Sequence, residues 1–81
     1  MPGINNPPIE VPDDLIAPEL ELIGIDSSAG AIIGTVRRAL REAGNSREIQ
    51  DSFVAQAMSG DYNHLLNVAM AFVDYEFPEV T

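Results

Sequence analysis

The chain has 81 residues, 13 Asp and Glu against 4 Lys and Arg, a formal charge of −9, 46% hydrophobic residues and no cysteine. Such a chain makes one globular domain that buries only about 60% of its unfolded surface, so its core is thin and a homo-oligomer or a tight partner would support it. The balance excludes disulfides, thiol nucleophiles and cysteine metal sites, and a field of this sign repels a nucleic-acid backbone, so no direct nucleic-acid binding is expected.

Five of the six prolines, Pro2, Pro7, Pro8, Pro12 and Pro18, fall in the first 18 residues. Each removes a backbone donor and pushes its predecessor toward extended conformations. Residues 1–18 therefore read as an extended arm, and residues 19–81 as a single helical domain. Ile4, Ile9, Val11, Leu15 and Ile16 give the arm apolar groups to lay along a core or a neighbouring subunit. The opening Met-Pro-Gly-Ile-Asn-Asn-Pro-Pro has no cationic or apolar leader pattern, and no run approaches the roughly 20 apolar residues of a membrane span. A cytoplasmic protein without a membrane segment is the expectation.

Glu19-Leu20-Glu21-Leu22 alternates charged and apolar positions, as a short strand does, with a proline-opened helical turn over 18–23 as the rival reading. A strand there needs a partner: the arm, the alternating Asp74-Tyr75-Glu76-Phe77, or the same strand of a second copy. Asp26, Ser27 and Ser28 offer N-caps for a first helix over 28–43, whose apolar stripe is Ile32, Val36, Leu40 and Ala43 and which Gly44 ends. Gly30 and Gly34 stand four apart within it. Each costs on the order of 1 kcal/mol relative to alanine, so a second helix, from this chain or another copy, is expected against that face.

Asn45 and Glu48 have capping-box spacing, with Ser46 as a competing cap, for a second helix over 46–59 that buries Ile49, Phe53 and Ala57 flanked by Val54 and Met58. Asp61 caps a third, from about 62 to 73–76, with Leu65, Leu66, Ala69, Phe72 and Val73 on its stripe. Links of two or three residues favour a compact helical arrangement. The expected fold is mainly α: a compact three-helix domain with an extended proline-rich N-terminal arm and one or two short strands.

Chemistry is sparse along this chain. His64, three residues after Asp61, lacks the further ligands of a metal site and reads as a surface residue of the first turn of helix three. Ser27, Ser28, Ser46, Ser52 and Ser59 lie near helix ends, where caps are expected, and none sits in a nucleophile elbow. Gly30 and Gly34 fall inside a helix and make no phosphate loop. The residues point away from an enzyme, and no cofactor or metal is expected. Phe53, Phe72, Tyr62, Tyr75 and Phe77 read as core and core edge rather than a base-stacking platform.

Charge leaves two candidate surfaces. Arg37, Arg38, Arg41 and Arg47 crowd into eleven residues, at the end of helix one and the start of helix two. They form a candidate anion pocket for a phosphate or nucleotide. The plain alternative is complementation of the helix dipole together with an Arg38–Glu42 neighbour pair. Asp13, Asp14, Glu19 and Glu21 form an acidic candidate surface for a basic partner, a nucleic-acid-handling protein among them, against the alternative that such charge only keeps a small protein in solution.

The stretches AIIGTVRRALREAGNSREIQDSF and AMSGDYNHLLNVAM, with Ser59-Gly60-Asp61-Tyr62 followed by Leu65-Leu66 as the most distinctive piece, resemble a group of small, functionally undescribed bacteriophage and prophage proteins over residues 29–74. This chain departs from that group at Asp26-Ser27-Ser28-Ala29, where relatives carry Asp-Gly-Asn-Ala. The resemblance implies a phage origin and a place in the host bacterial cytoplasm, and it brings no catalytic residues. The expected function is that of a non-enzymatic accessory protein that binds and modulates a host protein through its acidic surface. The alternatives are sequestration of an anionic nucleotide signal at the arginines, as a counter-defence, and a minor virion component.

Overall fold

A computed structural model of the chain describes residues 6–20 and 28–75. In order these form strand β1 (Glu19–Leu20), helices α1 (Ala29–Glu42), α2 (Arg47–Ala57) and α3 (Tyr62–Phe72), and strand β2 (Asp74–Tyr75). The three-helix expectation holds: α3 starts at the expected residue, the other ends lie one to four residues inside the expected ones, and the links between successive helices are four residues rather than two or three.

Each helix starts where a short polar side chain satisfies an orphan amide. Ser28 Oγ accepts from Ala31 N–H, Ser46 Oγ from Ile49 N–H, and Asp61 Oδ1 from His64 N–H. Ser46 thus caps α2 and Asn45 does not. Helix α1 ends in a Schellman motif: Gly44 takes a left-handed φ of +98°, its N–H donates to Arg41 O, and Asn45 N–H donates to Leu40 O.

The expected partner for the first strand is found in the tail. β1 and β2 pair in parallel, with Glu19 opposite Asp74 and Leu20 opposite Tyr75, and Asp74 N–H donates to Pro18 O at 2.7 Å. Parallel neighbours cannot be joined by a tight turn, and here the whole three-helix unit is the crossover. Residues 74–75 are therefore a strand rather than a last helical turn. The expectations for Ile4, Glu21, Asp26, Ser27, Glu76 and Phe77 lie outside the described residues.

Phe53, Phe72, Leu40, Val36 and Val68 are the largest fully buried side chains. The two phenyl rings meet edge to face, 5.5 Å between centroids and inclined at 61°, the arrangement their quadrupoles favour. Around them close Ile32, Ile49, Ala57, Leu65, Ala69 and Val73. Ile9 and Leu15 of the arm pack against this core, so part of the arm lies on its own domain as the apolar residues suggested.

Three burial readings are corrected. Met58, assigned to the stripe of α2, is 68% exposed because it lies past the last helical residue, where the backbone has left the stripe. Val68, not assigned to the core, is fully buried, since it stands three after Leu65 and four before Phe72 on the same stripe. His64, read as a surface residue, is only 3% exposed. It stands four before Val68 and eight before Phe72, on the buried face of α3, with Ser59 and Gly60 of the α2–α3 link against it.

Phe72→Ala leaves a cavity against Phe53 and is expected to cost about 3–5 kcal/mol. In a domain of this size each 1 kcal/mol moves Tm by roughly 4–8 °C, so thermal unfolding followed by circular dichroism should shift down by more than about 10 °C. A shift of only a few degrees would contradict the central position of this ring.

Candidate functional site

The arm is seated by side-chain amides. Gln56, near the end of α2, takes both main-chain groups of Glu10: its Oε1 accepts Glu10 N–H at 2.8 Å and its Nε2 donates to Glu10 O at 2.7 Å. Asn45 does the same to Ile16, with Oδ1 accepting Ile16 N–H and Nδ2 donating to Ile16 O, both at 2.8 Å. An amide side chain presents one donor and one acceptor side by side, so it mimics the edge of a strand and holds an extended segment without reading its side chains. At the start of the described arm, Asn6 Oδ1 accepts Asp61 N–H and Asn6 Nδ2 donates to Asp61 Oδ1.

Supporting contacts fix the two amides. Asn45 is buried, its Nδ2 also donates to Leu40 O at 2.9 Å, and its own carbonyl accepts from Gln50 Nε2 at 3.1 Å. Gln56 Nε2 also donates to Ser52 Oγ at 3.1 Å. Between these anchors the arm folds into a β-turn over residues 12–15, closed by Leu15 N–H donating to Pro12 O at 3.2 Å, with Asp13 and Asp14 exposed at its tip. An open cavity of about 350 Å³ lies between Pro7, Pro8 and Glu10 of the arm and Ser52, Gln56 and Ser59.

Ser59 and His64 are the one hydroxyl and imidazole in contact, with Oγ and Nε2 3.3 Å apart. The hydroxyl proton is committed elsewhere: Ser59 Oγ donates to Gln56 O at 2.7 Å. His64 Nε2 therefore donates to the serine and does not draw its proton, the reverse of nucleophile activation. The pair ties the α2–α3 link together. Gly60 completes it, because a Cβ there would stand 2.8 Å from His64 Cδ2 and would collide with Asn6 Oδ1.

The arginines divide into separate contacts. Arg37 and Arg47 approach the same carboxylate, Asp51, at 3.8 and 3.9 Å, so α1 and α2 meet there across one acid. Arg38 pairs with Glu42 at 3.2 Å, the neighbour pair foreseen in the sequence. Arg41, in the last turn of α1, makes no ion pair among the described residues. All of these side chains are largely exposed, where each pair contributes at most about 1 kcal/mol. No group of three or more His, Cys, Asp or Glu could hold a metal ion among the described residues.

Of the acidic candidates, Asp13, Asp14 and Glu19 are exposed and Glu21 lies outside the described residues. Glu19 stands in register beside Asp74, also exposed, and neither they nor Glu10 make an ion pair among the described residues. Gly30 and Gly34 are exposed, and a Cβ built on either meets nothing within 4 Å, so no described residue packs directly on either glycine. Beside Gly30 opens a second cavity, about 400 Å³, walled by Ile33, Met58, Tyr62 and Leu65. No helix among the described residues is long and apolar enough to cross a membrane.

Comparison with protein-family models, with curated proteins and with solved structures returned no match to this chain.

Sequence reasoning took Asn45 for a cap and passed over Gln50 and Gln56. Their partners lie 29 and 46 positions away for Asn45 and Gln56, beyond any local pattern. One signal was present: a polar amide directly after the helix-ending Gly44, where an orphan carbonyl awaits a donor. Asn45→Ala removes three side-chain hydrogen bonds and is expected to cost about 1–3 kcal/mol. Amide exchange should accelerate at Ile16 and stay nearly unchanged at Glu10. Equal acceleration at both would mean that the arm is held as a single unit rather than at separate anchors.

Proposed function

We propose that this chain is a non-enzymatic phage accessory protein that binds and modulates a basic host protein through the acidic outer side of its arm and strand pair. The observation that carries this reading is the in-register pair of Glu19 and Asp74, two exposed carboxylates on adjacent strands that make no ion pair among the described residues. Like charges opposite one another weaken a sheet by some tenths of a kcal/mol up to about 1, a cost that a docked Lys or Arg would reverse. Asp13 and Asp14 extend the same charge along the arm. The arginines offer less support for a nucleotide site, because three of the four already face carboxylates of their own chain. The phage origin and the host cytoplasm rest on the resemblance over residues 29–74.

Native mass spectrometry of the protein purified gently from the cells that produce it tests this. The expected result is a protein-sized adduct that is lost when Asp13, Asp14, Glu19 and Glu21 are changed to their amides and retained when Arg37, Arg38, Arg41 and Arg47 are changed to Gln. An adduct of a few hundred daltons with the opposite dependence would overturn the reading in favour of an anionic small ligand.

A further inference from the structure

The part of the arm before its turn is held in a way that a second copy of the chain reproduces. We propose that residues 6–11 exchange between two copies, each arm seating on the other's Gln56 and Asp61, with the turn over residues 12–15 as the hinge.

The seat shows which segment it takes. Gln56 binds the N–H and C=O of one residue, and Asn6 adds a two-point contact with Asp61. An identical copy offers the same groups, and the seat has no means of telling its own arm from another's. The contacts join positions 46 and 55 apart in sequence, so no short connection imposes pairing within one chain.

Little confines the segment to its own domain. Between residues 6 and 11 only Ile9 packs against the core, while Val11 is 44% exposed. The turn is closed by one main-chain hydrogen bond of 3.2 Å. Asp13 and Asp14 sit side by side at its tip, and straightening the backbone sends them to opposite faces and relieves their repulsion. Pro7, Pro8 and Pro12 restrict the backbone around the hinge, so the segment moves as a stiff lever and loses little entropy on reseating.

Opening also leaves the rest of each copy intact. The Ile16–Asn45 contact and the β1–β2 pair lie beyond the hinge and stay within one chain. Four straightened residues span about 13 Å, enough to carry the lever off its own seat. The exchange makes a closed, two-fold dimer in which the hinges run past each other and Val11, next to the hinge, is covered at the crossing. Because each copy carries −9 and the crossing gathers Asp13 and Asp14 of both, dimerisation should strengthen with salt.

Two full-length variants isolate the contact. Glu10→Pro removes the N–H that Gln56 Oε1 accepts and leaves one of the two hydrogen bonds of each seat, whereas Gln56→Ala removes both. Mixed, the intact arm of the second variant meets the intact seat of the first. Native mass spectrometry should then find heterodimer at least about tenfold above the Gln56→Ala homodimer, because one of its two seats keeps both hydrogen bonds and that homodimer keeps neither at either seat. A parallel measurement mixes isotopically light and heavy wild-type chains, expecting dimers of intermediate mass whose fraction rises with salt. Monomers alone in both experiments, or a Gln56→Ala homodimer as abundant as the heterodimer, would overturn the proposal. No partner protein enters either experiment, so its result is independent of the proposed function.

Discussion

The side chain of Asn45 lies where the end of α1, the start of α2 and the arm converge, and its amide serves all three. It follows Gly44, whose left-handed backbone ends α1, and from there it fills the Leu40 carbonyl that the helix leaves open. The same nitrogen and the oxygen beside it take the main chain of Ile16. A buried amide has up to four hydrogen-bonding positions, and each one left empty costs about as much as several ordinary contacts in a core this thin. The α1–α2 angle and the seating of the arm are thus two outcomes of one satisfied group, and Gln50 secures that group from behind.

What could be read from the sequence follows from the range of the forces involved. Helix starts at Ser28 and Asp61, the left-handed Gly44 and the stripe from Ile32 to Leu40 depend on neighbours within four residues, and they were legible. Pairing of Glu19-Leu20 with Asp74-Tyr75 was visible as one option among three, because alternation marks a strand without naming its partner. The amide contacts of Asn45 and Gln56 depend on where the arm comes to lie. Asn and Gln are ordinary surface residues in composition, and nothing local sets apart the two that hold a backbone. The candidate arginines were found as a cluster, yet the carboxylate of Asp51 that divides two of them from the rest sits on the next helix.

The two electrostatic regions of the chain behave differently for a simple reason. Arg37, Arg38 and Arg47 have carboxylates within 4 Å, and since Arg37 and Arg47 share Asp51 their field is reduced to that of about one positive charge. The acids of the arm and of the strand pair have none among the described residues, and their field reaches outward until salt screens it, at about 8–10 Å.

The parallel closure of β1 on β2, together with the Asn6–Asp61 contact, has a temporal side. The arm leaves the ribosome before any of the residues that receive it, and Asp61 is added 55 residues after Asn6. At translation rates of about 5–20 residues per second, the arm waits roughly 3–11 seconds for its seat. Throughout that interval it is an acidic, proline-rich segment whose receiving groups, Asp61 and the backbone of β2, have not yet been made.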